Sequence, residues 1–133
     1  MEYLRAQIAR LMVEYFGEDS RRIEHALRVL YHAEQIMAEH PDCDPEIVIA
    51  SALLHDVGIK VSEGKLGYNN GKTQEKYGPP VAEQLLRKIG FPADKIKKTK
   101  EIIGNHHSPS RYNYIELEVL KGADRIVNRD EKV

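Results

Sequence analysis

The residues best equipped for chemistry in this chain are its six histidines and a handful of carboxylates. There is a single cysteine, Cys43, so one chain can form neither an internal disulfide nor a thiolate metal cluster. Any metal must be held by imidazole and carboxylate. His55 and Asp56 are adjacent and close the apolar run Ile47-Val48-Ile49-Ala50-Ser51-Ala52-Leu53-Leu54. Neighbouring imidazole and carboxylate let one helix end fill two positions around zinc, iron, manganese, cobalt or nickel. As a dipeptide alone the pair is uninformative, and a histidine near a helix C-terminus also simply favours the dipole. Its weight comes from its place at the rim of a core.

Asp124 is the most informative single position. Leu117, Leu120, Asp124 and Val127 follow one another at helical spacing, which puts a carboxylate on the stripe that faces the interior. Burying an ionised carboxylate without a partner is too costly to be incidental. The readings are a metal, a nearby base such as Arg125, or a helix whose phase differs from this one. His25 borders an apolar helix face, where a lone histidine is more often structural, and it gains weight only as a third partner. His106 and His107 flank the stripe Ile96, Thr99, Ile102, Ile103, and three readings stay open: a second metal site, a phosphate contact, or a solvated pair near a helix end. His32 and His40 are assigned to structure or surface.

The elements that must position these residues are all helical. Leu4, Ile8, Leu11, Met12, Tyr15 and Phe16 recur at three-and-four spacing and stop at Gly17. A second helix begins near the capping residues Asp19-Ser20 and ends before His40-Pro41. Asp44-Pro45-Glu46 opens the buried central helix with a cap, a first-turn proline and a first-turn carboxylate. Residues 62–72, SEGKLGYNNGK, are expected to form a surface loop. A helix from about Thr73 to Ile89 is expected to break or restart at Gly78-Pro79-Pro80. Another begins at Phe91-Pro92 and runs to Ser108-Pro109, and the Asp124 helix comes last. No strand signal, repeat or low-complexity tract stands out, so the fold class is all-α.

At 133 residues the chain suits one domain. With 41% apolar residues, 31% charged residues and a net charge of −1, it has the balance of an ordinary soluble protein and no overall field to attract nucleic acid or membrane. The N-terminal stretch carries charges through its apolar positions, unlike a signal sequence or membrane span, which makes the cytoplasm the expected location.

His25, His55-Asp56 and Asp124, in that order on successive helices, resemble the H…HD…D signature of the HD superfamily of metal-dependent phosphohydrolases. The resemblance runs from about Arg21 to Asn128. The stretch from Ala52 to Lys60, Gly78-Pro79-Pro80-Val81-Ala82 and Ile103-Gly104-Asn105-His106-His107 are similar to a small bacterial and archaeal branch of predicted hydrolases. It implies a single HD domain over residues 1–133, a bundle of about six helices. It also implies a divalent transition metal (manganese, iron, cobalt, nickel or zinc) held by His25, His55, Asp56 and Asp124. Two-metal members add histidines, for which His106 and His107 are the candidates here; the other extra position, before Gly-Pro, is Tyr77. By motif position, Asp56 is also expected to orient or deprotonate the attacking water, and Arg22 and Lys60 to contact substrate. A lysine commonly lies three residues after the family's Asp, but Ile59 stands there and Lys60 follows. The catalytic Glu that some nucleotide-cleaving members have at that place is also missing. The activity implied is hydrolysis of a nucleotide or other small phosphate ester by a metal-activated water. The alternatives are a di-iron oxygenase of the same fold and a nucleotide- or metal-binding sensing module.

Overall fold

The run Ile47–Leu54 is buried at every position, and the other helices are arranged around it. In the computed structural model, which describes residues 2–131, the order is α1 Glu2–Phe16, α2 Ser20–Met37, α3 Pro45–Leu54, α4 Gly58–Leu66, α5 Gly71–Arg87, α6 Ala93–Ile103 and α7 Ile115–Glu131. There is no strand among the described residues. Helix α3 touches α1, α2, α6 and α7, so the apolar side chains of the central helix serve four neighbours at once. Each of its buried Leu, Ile and Val side chains contributes about 1.5–3 kcal/mol. Its start is fixed by the Asp44 carboxylate, which accepts from the amides of Glu46 at 2.9 Å and Ile47 at 3.4 Å, with Pro45 at the first helical position. Asp19 caps α2 in the same manner.

The expectation of an all-α bundle of about six helices holds, with seven present among the described residues and with different boundaries. The stretch expected to be a loop from residue 62 is helical through Leu66, and the connection shrinks to Gly67–Asn70. Gly67 at φ +79° ends α4, and Ile59 and Ser62 give α4 a buried side that composition alone concealed. Asn70 and Thr73 then form a reciprocal cap that opens α5. Helix α5 runs unbroken through Gly78-Pro79-Pro80, against expectation, because Ala82, Leu85 and Leu86 beyond the prolines are buried on the same face as Gly78 before them. Helix α6 stops at Ile103, so His106 and His107 stand in the turn after it and not on its stripe.

Two glycines set the spacing of α4, α5 and α6. A Cβ at Gly58 would lie 2.5 Å from the Gly78 amide nitrogen and 2.8 Å from the Gln74 carbonyl, and one at Gly78 would lie 2.8 Å from Ile103 Cγ2. The obstacle at Gly58 is backbone, which cannot swing aside. Gly58→Ala is therefore expected to destabilise the fold by about 1–3 kcal/mol or more. Urea denaturation checks this, and an unchanged midpoint would mean that α4 and α5 part freely.

Candidate metal centre

Helix ends explain how the histidines are aimed. His55 follows the last residue of α3, where the final carbonyls lack intrahelical partners, and its Nδ1 donates to the Ala52 carbonyl at 2.8 Å. His106 does the same after α6, with Nδ1 donating to the Ile103 carbonyl at 2.6 Å. Each backbone bond fixes the proton on Nδ1 and leaves the Nε2 lone pair facing inward. His25 lies in the middle of α2, where carbonyls are already paired. It uses α7 instead: both oxygens of Glu131 lie 3.0–3.1 Å from its Nδ1.

The inward nitrogens converge with two carboxylates. His25 Nε2 and His55 Nε2 are 3.3 Å apart. Asp56 Oδ2 lies 3.4 Å from the first and 3.3 Å from the second, and Asp124 Oδ1 lies 3.2 Å and 3.4 Å from the same two atoms. Donors about 2.0–2.2 Å from one ion stand roughly 3 Å apart when they are neighbours in its coordination sphere, so these spacings fit a shared cation. The sites expected from sequence at His25, His55, Asp56 and Asp124 are thus brought together from α2, the end of α3 and α7. His55 is 0% exposed and Asp124 8%, so none of this is a surface accident.

Charge in the cluster follows from these contacts. Burial alone would lower the His55 imidazole, but Asp56 and Asp124 overcome it and hold His55 well above its ordinary 6.5. His25 is raised against the same burial, mainly through Asp124. Burial would raise Asp56, yet His55, His106 and His25 draw it down to about 2, and His25 and His55 draw Asp124 well below the carboxylate range. The pocket floor is a place where positive charge is strongly favoured, whether it arrives as protons or as a metal ion.

The other oxygen of Asp56 faces a second group. Asp56 Oδ1 is 4.0 Å from His106 Nε2, and Asp56, His106 and His107 offer ligand atoms within 4.8 Å of one another. His106 is 5% exposed and its Nε2 has no hydrogen-bond partner, an unpaired lone pair pointed at a carboxylate. Burial, with His55 and His107 beside it, pushes His106 down to about 4, which keeps that lone pair free near neutral pH. The four rings form a row, with centroids 5.3, 5.4 and 4.0 Å apart from His25 through His55 and His106 to His107.

Above the floor lies a cleft of about 280 Å³ lined by Arg21, Arg22, Asn69, Gln74, Asn128 and Glu131 together with His25, Asp56, His107 and Asp124. Arg22 reaches it as expected, steadied by Asp19 at 2.8 Å and Glu63 at 3.5 Å. Lys60 does not. Its ammonium binds the Tyr15 carbonyl at 3.2 Å and sits over the Tyr15 ring, because the turn into α4 sends residue 60 toward α1. Tyr77 is also outside the cluster, packed beside Lys65 of α4. From α5 the Gln74 side chain meets the His107 ring, with Oε1 2.6 Å from Nε2.

The sequence matches the family described as HD domain over residues 22–129. The chain belongs to the HD domain family. Among solved structures, a predicted HD superfamily hydrolase from an uncultured Thermotogales bacterium is similar, with 25% identity and a TM-score of 0.71 over 96% of this chain and 74% of that one. The comparison with curated proteins finds no match. HD domains generally bind divalent metals, and the clustered His and Asp side chains of this one are compatible with that. None of its helices among the described residues is long and apolar enough to cross a membrane.

Glu131, Gln74, Asn69 and Asn128 escaped the sequence reading. Glu131 sits in the charged run near the C-terminus, and nothing local distinguishes it from its neighbours. In an HD domain with a metal at His25, a carboxylate on the outer nitrogen orients the ring and raises its basicity. Glu131→Ala is expected to weaken the metal held at His25 about 10–100-fold, measured by competition with a chromophoric chelator. Unchanged affinity would reduce Glu131 to a surface contact.

Proposed function

We propose that the protein is a metal-dependent phosphohydrolase acting in the cytoplasm on a nucleotide or another small phosphate ester. The observation that carries this reading is the convergence of His25, His55, Asp56 and Asp124 on the floor of a cleft whose rim holds Arg22. Manganese, iron, cobalt, nickel or zinc fits these donors and, when bound, supplies Lewis acidity and a water acidic enough to be a nucleophile near neutral pH.

The protein's own side chains supply the rest. Arg22 presents a guanidinium, braced by two carboxylates, to phosphate oxygens that gain charge during attack. Arg21 lines the same cleft and adds a second positive group. Asp56 has one oxygen toward His25 and His55 and the other toward His106, so it can hold a cation with the first and accept a proton from water with the second. His106 and His107, with that same oxygen, can instead hold a second cation.

The two ligand groups sharing Asp56 also favour a second reading, since a di-iron oxygenase needs two such sites side by side. Purification without added metal, metal analysis, and a panel of phosphate esters and nucleotides assayed for phosphate release and dioxygen uptake separate the readings. The expected result is metal-dependent phosphate release without dioxygen uptake. Two irons with dioxygen consumption would overturn it in favour of the oxygenase, and tight binding with no product in favour of a sensing module.

A further inference from the structure

His107 differs from the other histidines of the centre in how its proton is placed. His55 and His106 each donate Nδ1 to a backbone carbonyl, whereas the polar contact of the His107 ring is with the Gln74 side chain. We propose that Glu63, Asn69 and Gln74 form a one-way hydrogen-bond relay that holds His107 in the Nε2–H tautomer. Nδ1 is then its lone-pair nitrogen, available to a divalent cation shared with Asp56 and His106. The metal half of this inference rests on the second ligand group of the proposed function, and the tautomer half does not.

The direction of the relay follows from donor and acceptor chemistry. A carboxylate only accepts, so the group 2.7 Å from Glu63 Oε2 must be the Asn69 amide nitrogen. That turns Asn69 Oδ1 toward Gln74, whose Nε2 donates to it at 2.8 Å. Gln74 Oε1 is thereby left facing His107 Nε2 at 2.6 Å, and an acceptor at that distance requires a proton on the ring nitrogen. Flipping either amide alone would set donor against donor or acceptor against acceptor.

The surrounding backbone keeps the relay in register. Ser62 donates to the Tyr68 carbonyl at 2.7 Å and contacts Thr73 Oγ1 at 2.7 Å, tying the Gly67–Asn70 connection to α4 and α5. Asn70 and Thr73 cap α5 just ahead of Gln74. Gly71 opens the space the ring needs, since a Cβ there would lie 3.0 Å from His107 Cβ and 3.3 Å from Cγ. The His107 amide donates to Glu75 at 2.9 Å, which anchors the residue to the same helix. Glu63 is also one of the two carboxylates that steady Arg22, so one exposed side chain bears on the phosphate-facing arginine and on the second ligand group.

The test is Glu63→Gln in the full chain, with Gln74→Leu beside it. Glutamine at 63 can donate as well as accept, which removes the fixed direction and lets Asn69 and Gln74 flip. Ring-nitrogen NMR of the metal-stripped protein is expected to show His107 as Nε2–H in the wild type and as a tautomer mixture in both variants, with His106 unchanged as Nδ1–H. Zinc titration is expected to show two sites, the weaker losing about tenfold or more in Glu63→Gln while the tighter is unaffected. His107 as Nδ1–H in the wild type, or a tautomer insensitive to both substitutions, would overturn the relay. A single zinc site with a tautomer that still collapses in the variants would uphold the relay and remove the second metal from the proposed function.

Discussion

Asp56→Ala is expected to strip metal from both ligand groups and to reduce phosphate release by on the order of a thousandfold or more. The reason is the two-sided placement of its carboxylate. Oδ2 lies 3.3–3.4 Å from the inward nitrogens of His25 and His55, while Oδ1 faces the unpaired Nε2 of His106. No other carboxylate among the described residues contacts both groups, so nothing can substitute for it. Removing it also leaves His55, which is 0% exposed, with Asp124 as its remaining carboxylate partner. Asp56→Asn keeps the volume and removes the charge, and it should lose metal almost as completely while folding normally. Elemental analysis of both variants after dialysis checks the prediction. Full metal content in Asp56→Asn would mean that the carboxylate is not a ligand.

Asp124→Ala should behave differently, and the contrast is diagnostic. Asp124 contacts His25 Nε2 and His55 Nε2 and takes no part in the group formed by Asp56, His106 and His107. The variant is expected to lose the ion held by His25 and His55 and to retain binding at the other group, with turnover falling about a hundredfold or more. Zinc stoichiometry by titration distinguishes loss of one ion from loss of all. If stoichiometry is unchanged, Asp124 is paired with a base and is not a ligand.

What the sequence made legible was the set of residues that violate an apolar pattern. Asp124 on a core stripe and His55-Asp56 at the end of a wholly apolar helix both stand out because burying such groups needs a reason. His25 borders its stripe and gained its assignment from the resemblance. The relay residues and Glu131 were illegible for the opposite reason: polar side chains in loops and at chain ends are ordinary until the fold supplies their partners. Helix α4 was missed because Gly64, Gly67 and the asparagines outweigh the short pattern of Ile59 and Ser62. The prolines of α5 misled because local propensity says nothing of the buried face that continues past them. Lys60 illustrates the limit of transfer by position, since the turn after His55-Asp56 carries it toward Tyr15 of α1.

The candidate ligands of the first ion are far apart in the sequence, at residues 25, 55, 56 and 124, and sit on α2, the end of α3 and α7. A cation among them is thus also a clasp, joining the last helix to the second through the central one. Such a clasp stabilises only the folded chain, by about 2.7 kcal/mol when free metal is a hundred times its dissociation constant. The melting temperature should accordingly rise with each metal in proportion to how well it is held, and chelation should lower it. A thermal-shift series across manganese, iron, cobalt, nickel and zinc would rank their affinities before any substrate is known.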